Sequence, residues 1–416
     1  MNRLWAFIGF LGVMSSSGWF ERNARAAAFG ADTVGGRGGR IIRVTNLDAD
    51  GRGSLRQALW AKGPRIVVFE VAGVIDLAGR DLNVSEPFVT IAGQTAPSPG
   101  ITLIRGGLKI LTHDVIVQHL KVRPGENDRP KKSGWEVDGI STVGAWNVLV
   151  DHCSCTWATD ENLSASGERF KGATPEEWRR NTSHNITFQN CLIAEALSKS
   201  THGKGEHSKG TLLHDNTGGI LVRNNLYACN KDRNPYAKGG VEAVLVNNWI
   251  SNPRSKAVSH GLSESEWRGH APQRSRLVIA GNVFEHGPDT VKDSPLLKNY
   301  GGHVDVWLQD NVVTRLDGRP GVEVDGDLVN RLAQRPFWPV GLELLPAKRL
   351  KAALAADVGA RPWDRDPIDA RIIQAALDRK GRIISGEGEV GGYPQSRESR
   401  AAFKESEWNL ANMERR

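Results

Sequence analysis

The sequence predicts an all-β protein built as a parallel β-helix, or solenoid, and two observations lead to that prediction. Short runs of β-branched and apolar residues follow one another, each ended by Gly, Asn or Asp, with little amphipathic helix between them. Several of these runs also share one pattern of three or four strand residues followed by a polar pair. A chain that repeats one short unit stacks its units along an axis.

The shared pattern is clearest in the middle of the chain. Taking one position of each polar pair as equivalent, the repeats lie 23 to 38 residues apart. The shortest interval sets the bare repeat, and the longer ones add loops, which solenoids tolerate because each turn touches only its neighbours. The equivalent positions are His119, His152, Asn190, Asn224, Asn247, Gly281 and Asp310.

The next residue of the pattern is an asparagine in the later repeats: Asn225, Asn248, Asn282 and Asn311. Stacked asparagines at a tight bend can form a ladder, because each amide offers both hydrogen-bond donors and acceptors. A β-sandwich of hairpins is the alternative. It is disfavoured because two-residue Asn-Gly or Asp-Gly turns between paired strands are almost absent.

The two ends of the predicted solenoid differ. Residues 54–60 (SLRQALW) indicate a short amphipathic helix that caps the open N-terminal end of the core. After about residue 330 the pattern becomes helical, as in PIDARIIQAALDRKG. We therefore expect a β-helix domain over 29–330 and a partly helical segment over 331–416 that packs on it, with a mobile, highly charged end.

Residues 1–28 have the pattern of a signal peptide. A basic start (MNR) precedes the 11-residue apolar run LWAFIGFLGVM and small residues near 26–28. The run is shorter than the roughly 20 residues that cross a bilayer. The sequence predicts export to the periplasm or medium, without membrane contact after cleavage; an uncleaved anchor is the alternative.

Composition narrows the partner. The 416 residues carry 54 Lys and Arg against 47 Asp and Glu, a net charge of +7, which suggests a polyanion. Nucleic acid is disfavoured because aromatic residues do not interleave with basic clusters. Four cysteines without a CxxC pair predict neither a disulfide scaffold nor a zinc site. Composition alone does not decide between an acidic polysaccharide and a membrane surface. We expect a monomer.

Counting nine residues from three successive equivalent positions gives Glu161, Lys199 and Arg233. Without intervening loops these side chains would project from neighbouring turns, about 4.8 Å apart. Pro235 fixes the turn after Arg233, and Lys238 follows beside two glycines. Arginine and lysine held in this way suit an acidic substrate, although an ordinary surface turn would have the same composition.

Several carboxylates are expected on the same face. Asp160 adjoins Glu161, and Glu136 and Asp138 lie in the preceding loop. Converging carboxylates repel one another unless a cation lies between them, and hard oxygen ligands with no histidine and no thiolate favour Ca²⁺ over zinc. Ordinary ion pairs with Lys and Arg are the alternative. His207, in a Gly- and Lys-rich loop, is expected in a flexible segment that faces the substrate.

Long stretches resemble the pectate lyases of the polysaccharide lyase family 1 type. The resemblance covers about residues 29–395. It implies a right-handed parallel β-helix, secretion, Ca²⁺ and β-elimination of polygalacturonate to unsaturated uronate ends. The motifs that carry it are GGRGGRIIRVTNLDADGRGSLRQAL (35–59), GPRIVVFEVAGVIDL (63–77), VTIAGQTAPSPGITL (89–103), NVLVDHCSCTWATDE (147–161), RNNLYACNKDRNP (223–235), GARPWDRDPIDARII (359–373) and EVGGYP (389–394).

The resemblance implies roles for individual cations. Arg233 matches the family's proton-abstracting base, and the family's lysine on the preceding turn best matches Lys199, with Lys204 and Lys209 as rivals. Lys238 stands where the family usually has an arginine.

The resemblance also implies a set of calcium ligands: Glu136 and Asp138, then Asp160 or Glu161. Four residues further on the family has another aspartate, where this chain has Ser164 or Ala165, so one strong ligand is missing.

Two other functions stay open on this scaffold. A glycoside hydrolase needs two carboxylates that flank the bond. It is disfavoured because the adjacent Asp160 and Glu161 would point to opposite sides of a strand. A non-catalytic β-helix that binds acidic polysaccharide is the other alternative.

Overall fold

The computed structural model describes residues 29–416, so the predicted signal peptide lies outside the described residues. Five helices occur there: α1 (Leu55–Leu59), α2 (Pro175–Asn181), α3 (Glu264–Trp267), α4 (Ala347–Asp357) and α5 (Pro367–Leu377). The strands in chain order are β1 (Arg40–Val44), β2 (Arg65–Phe69), β3 (Val71–Asp76), β4 (Leu82–Val84), β5 (Val89–Ala92), β6 (Ile101–Ile104), β7 (Leu108–Ile110), β8 (His113–Gln118), β9 (Lys121–Arg123), β10 (Ile140–Val143), β11 (Trp146–Asp151), β12 (Ser154–Thr156), β13 (Glu161–Ser166), β14 (His184–Gln189), β15 (Leu192–Ala194), β16 (Lys209–Leu213), β17 (Gly218–Arg223), β18 (Leu226–Ala228), β19 (Tyr236–Ala237), β20 (Glu242–Val246), β21 (Trp249–Ser251), β22 (Val258–His260), β23 (Ser275–Ala280), β24 (Val283–Glu285), β25 (Leu297–Asn299), β26 (Val304–Gln309), β27 (Val312–Thr314), β28 (Val324–Asp325), β29 (Val329–Arg331), β30 (Ser399–Arg400), β31 (Trp408–Asn409) and β32 (Glu414–Arg415).

The strands form three long sheets around one core, and the predicted right-handed parallel β-helix is confirmed. Each turn of the solenoid adds one strand to each sheet, as β11, β12 and β13 do. The eleven-stranded sheet runs β1-β2-β5-β8-β11-β14-β17-β20-β23-β26-β29, and the nine-stranded sheet runs β4-β7-β10-β13-β16-β19-β22-β25-β28. The ten-stranded sheet runs β3-β6-β9-β12-β15-β18-β21-β24-β27, with β30 antiparallel to β3.

The bend between the eleven- and ten-stranded sheets explains the repeated polar pair. All seven positions predicted as equivalent have φ between 49° and 62°. This left-handed conformation is costly for most side chains but tolerated by asparagine and glycine. Each turn therefore enters the ten-stranded sheet through the same backbone kink, which the sequence pattern had located correctly.

The predicted asparagine ladder follows directly after this kink and is confirmed. The Asn248 side-chain oxygen accepts from the backbone N–H of Asn225 at 3.1 Å and from its amide at 3.0 Å. Asn282 and Asn311 repeat the pattern on the next turns. We call the run from Asn225 to Asn311 the asparagine ladder.

The core lies inside the solenoid and consists of Val, Ile, Leu and Phe side chains from all three sheets. The predicted N-terminal cap is confirmed: Leu55 and Leu59 of α1 belong to this core cluster. Ser54 caps the helix by accepting a hydrogen bond from the backbone N–H of Gln57. The first strands are thereby closed off from water at one end.

The C-terminal segment covers the ten-stranded sheet. Leu350 and Leu354 of α4 and Ile372 of α5 pack in one apolar cluster with strand residues of that sheet. Arg123, fully buried, joins the segment to the solenoid by ion pairs to Asp366 and Asp369, each at 2.8 Å.

The end of the chain packs on the solenoid through three apolar side chains. Phe403, Trp408 and Met413 are buried against Ile66 and Val68 on the outer face of the eleven-stranded sheet. Charged residues surround these three apolar anchors, which explains why composition alone suggested a mobile end. Among residues 29–416, none of the helices is long and apolar enough to cross a bilayer.

Candidate active site

A column of charged side chains lies at the entrance to the nine-stranded sheet. Glu161 opens β13 and is in register with Lys209, which opens β16 on the next turn. Lys209 is bridged in parallel to Asp232, and its ammonium lies 2.8 Å from that carboxylate. We call the surface formed by Asp138, Asp160, Glu161, Lys209 and Arg233 the charged bend.

The predicted register of Lys199 is wrong. Lys199 is exposed in the loop before β16, where it forms an antiparallel bridge with Glu206. The count of nine residues failed because residues 199–208 form an inserted loop. Lys209, at the end of that loop, is the lysine that follows Glu161 in the column.

Three of the four predicted metal ligands converge. Asp138, Asp160 and Glu161 each offer an oxygen, and these atoms lie within 4.8 Å of one another. Asp138 and Asp160 also line a cavity of about 150 Å³. Withdrawal from water and the neighbouring Asp160 raise the pKa of Asp138 to about 7.

The convergence corrects the expectation that Asp160 and Glu161 point to opposite sides of a strand. Asp160 precedes β13 and belongs to the bend, where strand alternation does not apply. Of the two residues that could stand where the family has a further aspartate, Ser164 faces the carboxylate cluster and Ala165 does not. The hydroxyl of Ser164 donates to Asp138 at 2.6 Å, whereas Ala165 is part of the core.

Glu136 lines the same cavity as Asp138 and Asp160 but is not one of the three converging carboxylates. Its side chain is 38 % exposed, and its Oε1 lies 3.3 Å from Nδ1 of His202. The backbone N–H of Gly203 donates to the same oxygen at 3.0 Å. Glu136 therefore contacts the loop that carries the two histidines.

Arg233 lies against the carboxylate cluster, with its guanidinium ion-paired to Glu161 and packed over the Tyr236 ring at 5.5 Å. Burial lowers the pKa of Arg233, while the charge of Asp160 acts in the opposite direction. The arginine has a left-handed backbone, with φ of 62°, just before Pro235. This turn places the side chain across one turn of the solenoid onto Glu161.

Lys238 has more partners than the sequence indicated. Its ammonium contacts Glu266 and lies 3.3 Å from Asp215. Arg169 binds the same two carboxylates, each at 2.8 Å. Lys238 is 8 % exposed, so binding of a substrate carboxylate would require Glu266 to release it.

The loop before β16 carries Lys204 and His207, whose side chains differ in exposure. Lys204 is exposed, whereas His207 is buried and its Nε2 lies 2.8 Å from Asp160 Oδ1. His202 stacks on His207, with ring centroids 3.7 Å apart. The expectation of a flexible loop missed this contact, although the His-x₄-His spacing was a signal that could have indicated it.

The fold and the charged bend together define a parallel β-helical protein with a cluster of carboxylates beside Lys209 and Arg233. A scan against models of known protein families finds no match.

Curated proteins give a clear relationship. A probable pectate lyase C of Aspergillus flavus is 32 % identical over 377 residues, covering 88 % of this chain and 80 % of the relative. The probable pectate lyase C of Emericella nidulans is 33 % identical over 378 residues, covering 88 % and 79 %.

Among solved structures, the major cedar pollen allergen jun a 1 has a TM-score of 0.59 at 16 % identity. It covers 81 % of this chain and 93 % of its own, and it supports the fold. On the sequence relationship, the chain belongs to the pectate lyase family, whose members are polysaccharide lyases.

Proposed function

We propose that this protein is an exported pectate lyase that cleaves polygalacturonate, or a related polyuronate, by calcium-assisted β-elimination. The observation that carries the proposal is the charged bend. There Arg233 packs on Glu161 of the carboxylate cluster, and Lys209 follows Glu161 on the next turn. The net charge of +7 supports an anionic substrate.

The donor set of the charged bend fits Ca²⁺. Asp138, Asp160 and Glu161 supply the hard oxygen ligands that this ion prefers. The raised pKa of Asp138, caused by burial and by the charge of Asp160, indicates like-charge repulsion that a dication would relieve. When bound, Ca²⁺ supplies neutralisation of the substrate carboxylate, which makes the neighbouring C5 proton more acidic.

Arg233 is the proposed base. It takes the proton from C5, the C4–C5 double bond forms, and the C4–O bond breaks. The leaving oxygen takes a proton from water, and the guanidinium of Arg233 returns its proton to solvent. Base action needs a neutral guanidine, and burial lowers the pKa of Arg233 in that direction. Glu161 stabilises the charged form, so any contact that draws this carboxylate away favours the neutral base.

Lys209 is the proposed electrostatic partner in place of Lys199. Its ammonium is held by Asp232 beside Glu161, so it carries a fixed positive charge in the charged bend. Such a charge stabilises the negative charge that develops on the uronate carboxylate as the proton leaves. Lys204, exposed in the adjacent loop, and Lys238 are proposed to contact neighbouring uronates.

Hydrolysis is less well supported by the same site. A glycosidase needs one protonated carboxyl group as general acid. Burial would raise the pKa of Asp160, but the hydrogen bond from His207 and its positive environment lower it instead. Glu161 is ion-paired with Arg233. Asp138, with its pKa raised to about 7, is the candidate acid of this cluster, but its oxygen lies within 4.8 Å of those of Asp160 and Glu161. That is closer than the roughly 5 to 9.5 Å that separates the two carboxyl groups of a glycosidase.

Mass spectrometry of the products tests the proposal. The purified protein is incubated with polygalacturonate and Ca²⁺, and the oligomers are weighed. Elimination gives unsaturated oligomers lighter by one water than hydrolysis products, which is the expected result. Saturated oligomers would identify a hydrolase, and an unchanged polymer that still binds the protein would identify a non-catalytic binding protein.

A further inference from the structure

Two histidines lie beside the carboxylate cluster in a fixed arrangement. His202 and His207 are 1 % and 5 % exposed, and their rings stack with an interplanar angle of 17°. The Nε2 atoms of His207 and His202 lie 2.8 Å and 3.6 Å from Oδ1 of Asp160. Both imidazoles therefore present a nitrogen to the same carboxylate.

The loop that carries them is held at several points. The backbone N–H of His207 donates to the carbonyl of Ser198 at 2.8 Å, and the hydroxyl of Thr201 donates to the carbonyl of Trp135 at 2.7 Å. A loop fixed on both sides of its histidines keeps their nitrogen atoms in place without a bound ligand. Preorganised donors of this kind lower the cost of binding.

An outer carboxylate completes the arrangement. Glu136 Oε1 lies 3.3 Å from His202 Nδ1, on the ring edge away from Asp160. In this structure Nδ1 accepts a hydrogen bond from the backbone N–H of Lys204 at 3.1 Å, so the proton of a neutral His202 is on Nε2. A cation at Nε2 would displace that proton to Nδ1, where Glu136 would accept it and orient the ring. This contact also gives a role to Glu136, which does not join the three converging carboxylates.

We propose that Asp160, His202 and His207 form a second cation site, selective for first-row transition-metal ions and supported by Glu136. One oxygen and two imidazole nitrogens, all within 4.8 Å, are a donor set that Zn²⁺, Co²⁺ or Ni²⁺ prefers and that Ca²⁺ does not. This site is separate from the proposed calcium cluster except at Asp160, which the two share.

The shared carboxylate has a functional consequence. An ion on the two imidazoles draws charge from Asp160, so it weakens Ca²⁺ binding at the cluster, and Ca²⁺ weakens transition-metal binding by the same factor. Transition-metal ions would thus regulate the calcium-assisted reaction. Binding itself does not depend on the proposed lyase function and is measured without substrate.

Cobalt is a suitable probe, because Co²⁺ bound by imidazole gives visible d–d absorption. The purified protein is titrated with CoCl₂ by calorimetry and absorption spectroscopy, beside the variants His202→Gln and His207→Gln. Glutamine keeps a hydrogen-bond donor for Asp160 but lacks the imidazole nitrogen. His184→Gln is the matched control, since His184 stacks on Trp146 at the eleven-stranded sheet, away from this loop.

We expect one equivalent of Co²⁺, a Kd at least tenfold weaker in each loop variant, and no change in His184→Gln. Glu161→Gln should weaken Ca²⁺ binding but keep the Co²⁺ spectrum, which separates the two sites. Equal Co²⁺ binding in wild type and both loop variants would overturn the proposal, as would no binding by the folded wild type. The histidines would then only position Asp160.

Discussion

The bends that lead into the ten-stranded and the nine-stranded sheet both stack polar side chains from successive turns of the solenoid, but they use different side chains. At the asparagine ladder, one residue type repeats on four turns and each amide satisfies its neighbour. At the charged bend, successive turns contribute a carboxylate, an ammonium and a guanidinium. Repetition of a neutral group gives stability, whereas alternation of charge gives a site that can bind and react.

The largest effect should come from the charged bend. Arg233→Lys keeps the positive charge but removes the guanidine that is proposed to take the C5 proton. We expect kcat on polygalacturonate to fall about 1000-fold, or about 4 kcal/mol, with little change in stability. Steady-state kinetics and thermal unfolding check this pair of results. Activity within tenfold of wild type would contradict the assignment of the base.

A substitution in the asparagine ladder should lower stability and leave catalysis unchanged. Asn248→Ala leaves the buried N–H groups of Asn225 without an acceptor. We expect a loss of about 3 kcal/mol in the free energy of unfolding, with unchanged kcat of the folded enzyme. Urea denaturation measures the loss. Asn330→Ala, at an exposed position in β29, the last strand of the eleven-stranded sheet, is the control and should cost less than about 0.5 kcal/mol.

Two lysine variants test which lysine contributes to the reaction at the charged bend. Lys209→Gln should lower kcat/KM about 30-fold, or about 2 kcal/mol, because it removes a fixed charge next to Glu161. Lys199→Gln, the same change on the exposed loop, should stay within about twofold. Steady-state kinetics on polygalacturonate measure both variants. A larger loss in Lys199→Gln than in Lys209→Gln would identify Lys199 as the lysine that acts on the substrate.

A histidine at the kink before the ten-stranded sheet, His152, predicts a pH dependence of stability. Burial would lower the pKa of His152, but Asp151 at 2.8 Å and Asp357 at 3.2 Å raise it to about 10. Its charged form joins the solenoid to α4. The stabilisation is complete below the unfolded pKa of about 6.5 and is lost as pH rises towards about 10.

Between pH 7 and 9 this group alone should lower stability by about 2 kcal/mol. Urea unfolding at several pH values, compared between wild type and His152→Gln, isolates the contribution. The variant should have a flatter pH dependence in that range. Parallel curves for the two proteins would show that His152 is neutral in the fold.

The smallest expected effect is a gain. Ser164→Asp places a fourth carboxylate beside Asp138, to which the serine now donates. More ligand charge should tighten Ca²⁺ binding about tenfold, or about 1.4 kcal/mol, and destabilise the calcium-free protein. Calorimetric titration with Ca²⁺ measures the change, with Ser166→Asp, two residues along the same strand, as the control. Equal affinity in both variants would place the calcium site elsewhere.

The difference between the bends also explains what the sequence could predict. The asparagine ladder depends on one residue at the same place in each repeat, so the pattern located the kink at His152 or Asn224 and the ladder itself. The carboxylates Asp138, Asp160 and Glu161 were also found, since Asp160 and Glu161 are adjacent and Asp138 lies in the loop that leads into the same turn.

Contacts made through inserted loops were not predictable in this way. The loop 199–208 has no counterpart in the other repeats. Counting nine residues from Asn190 therefore ended at Lys199, inside this loop, instead of at Lys209, which pairs with Glu161. Lys238 pairs with Asp215 and Glu266, which come from other segments, and no local pattern marks such partners. Contacts between side chains that are distant in the sequence can be identified only from the structure.

The most direct test of the account is the initial rate of ultraviolet absorbance increase on polygalacturonate, measured with added Ca²⁺ and with a chelator. The absorbing group is the conjugated unsaturated uronate that elimination alone creates. We expect the absorbance to rise steadily with Ca²⁺, to stop rising when the chelator is added, and to rise again when Ca²⁺ is added in excess. An equal rise in the chelator would contradict calcium assistance at the charged bend, and no rise in either condition would contradict elimination of this polymer.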